Sequence, residues 1–155
     1  MNFLRRLDEA LQAPKPPRLP TQKELTDPQW AYYYAKHVIK GRWPEGEETI
    51  SKDPQWARYY IKRFIKGRWP EAEEAISKKP AYAYFYAEDV IKGRWPEGEE
   101  AISKDPGYAY NYARDIIEDR WPEGEEAISK NKDLWAKYKR FVKAIENDED
   151  IFGGW

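Results

Sequence analysis

The chain contains no cysteine. That excludes disulfides and thiolate metal sites, and it leaves the redox compartment unread. Its single histidine, His37, has no second histidine or cysteine to share a metal with. A metal site of the usual ligand types is therefore not expected, and no cofactor is implied. No run of 18 apolar residues occurs, so no membrane-spanning segment is expected. Residues 1–12 lack the long apolar core and small-residue cleavage site of a secretory signal. No Walker-type or dinucleotide-binding glycine pattern is present. The only serines are Ser51, Ser77, Ser103 and Ser129. They stand 26 residues apart, and one nucleophile would not be copied four times. An enzyme is not expected. The net charge is −1, so no global field steers the chain toward nucleic acid or anionic lipid. The default location is cytoplasmic.

What is present is a repeat. Trp43, Trp69, Trp95 and Trp121 are evenly spaced, and Arg-Trp-Pro-Glu precedes a small residue, two glutamates, Ala or Thr, Ile, Ser and Lys each time. A fixed period in this range marks a repeat array. At 155 residues, with 35% charged and 41% hydrophobic, a single globular array is expected. The repeats run 27–52, 53–78, 79–104 and 105–130. Asp-Pro opens each one (Lys79-Pro80 in the third), a good N-cap followed by a favoured first helical residue. In repeat one, Ala31, Tyr34, Ala35, Val38 and Ile39 make one apolar stripe at helical spacing. Gly41 is expected to end this first helix as a left-handed cap. Trp43-Pro44 then opens a second, shorter helix whose early glutamates suit the helix dipole. Such a unit buries its apolar face only by stacking on neighbours. The fold class expected is all-α, a short right-handed α-solenoid of four 26-residue helix–turn–helix repeats with capping helices at both ends.

The flanks follow the same logic. Phe3, Leu4, Leu7 and Leu11 predict an amphipathic helix over 1–12, as an N-terminal cap or a helix that docks on a partner. Residues 13–26 read as a proline-rich spacer. Residues 131–147, with Trp135, Tyr138, Phe141, Val142 and Ile145, resemble a degenerate first helix and predict a C-terminal cap. Residues 148–155 read as an acidic mobile tail ending in Ile151, Phe152 and Trp155. Its Asp-Glu-Asp-Ile-Phe stretch resembles the acidic C-terminus by which bacterial single-strand DNA-binding proteins recruit partners, with Gly-Gly-Trp added.

The pattern Tyr-Ala-x-x-Val-Ile-Lys-Gly-Arg-Trp-Pro-Glu-Gly-Glu-Glu-Ala-Ile at 86–102 resembles short helical repeats in uncharacterised proteins of tailed bacteriophages and giant viruses. The resemblance covers 27–130. It implies a viral origin and a host-cell context, and it brings no active site or ligand with it.

Positions identical in every copy serve stacking, which every copy needs. They include Tyr34, Arg42, Trp43, Pro44, Glu47 and Ile50 with their equivalents. The four tryptophans read as core, each with a partner for its indole N–H. The arginines read as partners of the second-helix glutamates. Variable positions are where a specific surface would be built. One row is Tyr33, Tyr59, Phe85 and Asn111, and a second is Lys36, Lys62, Glu88 and Arg114. A third is His37, Arg63, Asp89 and Asp115, and a fourth is Lys40, Lys66, Lys92 and Glu118. Exposed aromatics beside charges suit interaction hot spots, whereas the alternative is ordinary packing and a solvated face. Arg58, Lys62, Arg63 and Lys66 form a basic cluster, while repeat four is acidic. The candidates for partner binding are therefore Tyr33, Tyr59, Phe85, Lys36, Arg58, Lys62, Arg63, Lys66 and Arg114, with Ile151, Phe152 and Trp155 in the tail. The function expected is a non-enzymatic protein-binding repeat, given its viral resemblance a factor that inhibits or redirects a host defence protein. Charge of opposite sign along the array also allows self-association. The alternative is a single-strand nucleic-acid binder that stacks one base per repeat on the aromatic row.

Trp95→Ala should cost about 3–5 kcal/mol, as for a buried aromatic removed from a core. Urea denaturation followed by circular dichroism measures it.

Overall fold

The computed structural model describes residues 18–152, with side chains to Asn147. The helix expected over 1–12 lies outside the described residues, as do Trp155 and the side chains of Ile151 and Phe152. All described regular structure is helical. A one-turn helix, α1 (Gln22–Leu25), leads in. Its capping box is complete: the Thr21 hydroxyl accepts from the Glu24 N–H while the Glu24 carboxylate accepts from the Thr21 N–H. The spacer expected over 13–26 is thus interrupted by structure. The Thr-x-x-Glu signature of a helix start is what marks it in the sequence.

Each repeat then contributes a first and a second helix. The first helices are α2 (Pro28–Tyr34), α4 (Pro54–Tyr60), α6 (Pro80–Tyr86) and α8 (Pro106–Tyr112). The second helices are α3 (Pro44–Ser51), α5 (Pro70–Ser77), α7 (Pro96–Ile102) and α9 (Pro122–Ser129). A long last helix, α10, spans Lys132–Phe152. First helices pack on first helices and second on second, which gives a two-layer stack of helix pairs. Close approach is permitted by Ala31, Ala57, Ala83 and Ala109, all fully buried.

The starts of the first helices follow the sequence. Asp27, Asp53 and Asp105 each accept two backbone N–H groups of the first turn, and Lys79 supplies no side-chain cap. The ends differ from expectation. Each α-helix widens into a single π-turn, Ala35–Ile39 in repeat one, and the chain leaves it at Lys40 with φ 57°. Lys66, Lys92 and Glu118 do the same, and no glycine has positive φ. Gly41 is therefore not the left-handed cap. The reversal falls on the residue before the glycine, one with a Cβ: the N–H groups of both Lys40 and Gly41 close on the Ala35 carbonyl. A Cβ on Gly41 would meet nothing within 4 Å, and Asp119 fills that position in repeat four without consequence.

The second helix begins at an extended Trp43 (φ −128°) with no side-chain cap. The small residue at position 46 clears the indole of its own repeat. At Gly98 an added Cβ would lie 2.5 Å from the Trp95 ring and 3.0 Å from Ala83 Cβ. The glycine therefore admits both the ring and the neighbouring helix. In repeat two Ala72 occupies this place, fully buried.

One set of side chains joins consecutive repeats. The Tyr60 hydroxyl accepts from the Trp43 N–H (2.7 Å) and donates to Glu47 Oε1 (2.9 Å). Arg42 grips the same carboxylate with Nε and Nη2, both at 2.8 Å. Tyr86 with Glu73, Tyr112 with Glu99, and Tyr138 of α10 with Glu125 repeat the arrangement. Each tyrosine ring in the repeats also packs on the tryptophan of its own copy, at 5.2 Å between centroids for Tyr60 and Trp69. The expected arginine–glutamate pairs are present within each repeat. The expected indole partners are not all there: Trp95 Nε1 and Trp121 Nε1 are buried without one.

α10 keeps the first-helix register, through Tyr138, and continues to Phe152. The tail expected from residue 148 therefore begins as helix; no glycine or proline interrupts the sequence before Gly153.

Burial pushes the Tyr60, Tyr86 and Tyr138 hydroxyls up to about 12, and Tyr112 higher, the adjacent glutamates adding to the effect. The arginine hydrogen bonds hold Glu47, Glu73 and Glu125 below the ordinary carboxylate range. The tyrosine contribution to stability is complete below pH ~10, where these groups stay neutral folded and unfolded, and is lost as pH rises toward 12. The glutamate contribution is present above the ordinary carboxylate value and lost as pH falls below it. In a spectrophotometric titration these four tyrosines should ionise only together with cooperative unfolding. Tyr86→Phe strands the Trp69 N–H and should cost about 1–3 kcal/mol by urea denaturation. Lys40→Gly relieves a left-handed residue and should gain about 1 kcal/mol, whereas Gly41→Ala should be near neutral.

Candidate functional site

The repeat is regular where copies stack, so a site is expected where one copy departs from the rest. Position 32 and its equivalents read Tyr32, Arg58, Tyr84 and Tyr110. In two of these copies the tyrosine plugs the groove between its first helix and the next. Tyr32 is buried against Trp56 (5.5 Å), Tyr59 (6.0 Å) and Phe64 (6.5 Å). Tyr84 is buried beside Tyr108 (5.7 Å), and its hydroxyl shares its one hydrogen between Asp115 (3.0 Å) and Glu88 (3.2 Å).

Between repeats two and three the plug is missing. Arg58 stands there instead, its guanidinium 4.2 Å from the Phe85 ring and 3.6 Å from Asp89. Asp89 is the counterpart of Asp115, so the ion pair replaces the Tyr84 hydrogen bond. The aromatic volume is not replaced. A groove of ≈ 590 Å³ opens between α4 and α6 and the π-turns that follow them. Its apolar wall comes from Ile61, Tyr82, Phe85 and Val90, with Ile76 beneath. Its rim carries Arg58, Lys62, Lys66 and Lys92 against the single carboxylate of Asp89. Lys62, Lys66 and Lys92 have no ion-pair partner among the described residues, and Lys66 and Lys92 are the left-handed residues that end their helices.

Four of the sequence candidates therefore converge: Arg58, Lys62, Lys66 and Phe85. The others do not. Tyr33 and Tyr59 are 44% and 46% exposed but belong to an aromatic cluster with Tyr32 and Trp56 between repeats one and two. Lys36 lies 5.8 Å from the Tyr33 ring, and Arg63 lies 5.7 Å from Phe64, outside the groove. Arg114 is engaged by Asp115 at 2.6 and 2.7 Å and sits over Tyr110. It lies outside the groove. His37 stacks on Tyr33 at 5.9 Å. Val38 and Ile39, expected in the core, are exposed in repeat one. The equivalent of Val38 in repeat three, Val90, lines the side facing the preceding repeat, and no described copy stands before repeat one.

Sequence reasoning missed Lys92 and Asp89 as groove residues, and it missed the position-32 row altogether. The signal was available: one arginine among three tyrosines at a fixed repeat position.

Among the described residues no group of three or more His, Cys, Asp or Glu side chains is placed to hold a metal ion. No helix there is long and apolar enough to cross a membrane. The family models give no match to the chain, and the searches of curated proteins and of solved structures return no significant match.

Proposed function

We propose that this chain is a non-enzymatic helical-repeat protein that binds another protein, using the groove between repeats two and three. The observation that carries the reading is that groove: an apolar wall, three lysines without ion-pair partners among the described residues, and a lost tyrosine plug between repeats two and three. An apolar centre with a charged rim is the anatomy of a protein-recognition surface. The resemblance to viral repeats adds an intracellular host protein, of the defence machinery, as the target.

The nucleic-acid reading needs aromatic faces spaced one per repeat and open to bases. The row offers Tyr33 and Tyr59 within one cluster, Phe85 covered by Arg58, and then Asn111. Repeat four, with its excess of carboxylates, interrupts any basic stripe that phosphates would follow.

The test is affinity capture from host lysate, with and without nuclease, read by mass spectrometry, using the wild-type chain and a Lys62→Glu/Lys66→Glu variant as baits. The expected outcome is a protein that survives nuclease and is lost with the variant. Partners that vanish on nuclease treatment would overturn the reading in favour of nucleic acid.

A further inference from the structure

The groove selects its ligand by chemistry that its two neighbours lack. The interface of repeats one and two is filled by aromatic rings, and that of repeats three and four by Tyr84 hydrogen-bonded to two carboxylates. Between repeats two and three, four cations face one carboxylate around an apolar wall. Asp89 is already paired with Arg58. The surplus lies on Lys62, Lys66 and Lys92, each on the rim and exposed. A ligand that satisfies both features carries carboxylates next to a bulky apolar side chain.

We infer that the groove is a docking site for an acidic peptide segment of a protein partner, one in which two or more carboxylates adjoin an aromatic or branched aliphatic residue. This rests on the protein-binding reading above and narrows it to a peptide class. The apolar side chain packs beside Arg58 in the space that the lost tyrosine ring leaves, against Ile61, Tyr82 and Val90. The carboxylates lie along Lys62, Lys66 and Lys92. Charge of this kind sets specificity and encounter rate, and burial of the apolar side chain holds the complex. A free phosphate or a nucleic-acid backbone would use the lysines and leave the apolar wall uncovered, which disfavours both.

The repeat itself supplies the test variant. Arg58→Tyr restores the residue found at this position in the other copies, with Asp89 placed to accept its hydroxyl as Asp115 accepts that of Tyr84. It should close the groove without weakening the stack.

The probe is a fluorescein-labelled synthetic peptide, Asn-Asp-Glu-Asp-Ile-Phe, which matches residues 147–152 of this chain and has the required chemistry. Fluorescence anisotropy is measured against the full chain at low salt. The expected result is saturable binding that weakens with salt. Arg58→Tyr should reduce it at least about tenfold, or about 1.4 kcal/mol, while the thermal midpoint is unchanged or raised. Lys62→Glu/Lys66→Glu should do the same, and this arm stands alone if Arg58→Tyr fails to fold. A peptide with Asn-Asn-Gln-Asn in place of the acidic run should not bind. Absence of saturable binding at millimolar peptide, or binding indifferent to both variants, overturns the proposal. If the peptide fails while a captured protein still depends on Lys62 and Lys66, the peptide class is wrong and the protein-binding reading stands.

Discussion

A tyrosine hydroxyl that reaches into the loop of the preceding repeat is the contact on which the array depends. The chain must leave each first helix through a left-handed residue and enter the second through an extended tryptophan. That path leaves the tryptophan N–H with no helical acceptor in a buried place, where an unpaired donor costs about 1–3 kcal/mol. Tyr60, Tyr86, Tyr112 and Tyr138 supply the acceptor from the next copy, and each hydroxyl donates a hydrogen bond to a glutamate held by an arginine. The arginine–glutamate pairs are largely exposed on the arginine side, and exposed pairs contribute little directly. Their role is to keep the carboxylate charged and aimed at the tyrosine. Because the ring of Tyr60, Tyr86 or Tyr112 also packs on the tryptophan of its own copy, one side chain couples a repeat to itself and to its neighbour. This is the nearest-neighbour coupling that makes a solenoid cooperative. It extends into α10 through Tyr138, so the last helix belongs to the stack even though its sequence departs from the repeat.

A scaffold secured this way tolerates change elsewhere. None of the stitching residues lies on the position-32 row, so Tyr can become Arg there with the stitch intact. The departure opens a groove at one interface and leaves the next one closed. Function in a repeat array is thus expected to reside in differences between copies, whereas identities report the stacking that all copies share.

Much of the architecture was legible. The period, the Asp-Pro helix starts, the core tryptophans and the arginine–glutamate pairing follow from local rules acting within one copy. The rest depends on geometry between copies or on backbone register. The glycine after each first helix resembles a cap, but the reversal after the π-turn falls on Lys40, Lys66, Lys92 and Glu118, and a sequence does not display a π-turn. Tyr60, Tyr86 and Tyr112 were readable as core but not as acceptors for a backbone N–H 17 residues upstream. The capping box at Thr21 was a local signal overlooked between the prolines and the first repeat. For the site, the basic cluster named Arg58, Lys62 and Lys66, while the apolar wall and Lys92 come from the neighbouring repeat.

The aromatic row shows why exposure alone misleads in a stacked protein. Tyr33, Tyr59 and Phe85 are equivalent in sequence, yet each has a different environment. Tyr33 lies against Tyr32 and against Trp56 of the following copy and remains 44% exposed. Tyr59 is half covered by Tyr32 and Trp56. Phe85 is less exposed than either and lines the open groove, with Arg58 over its face. Ranking by exposed aromatic area would choose Tyr33 and Tyr59 and pass over Phe85. Ranking by what has been lost relative to the other copies chooses the Arg58–Phe85 interface. The second criterion is the sounder one, because it separates what every copy needs for stacking from what one interface alone has, an arginine at position 58 paired with Asp89 and laid over Phe85, beside three lysines without ion-pair partners among the described residues.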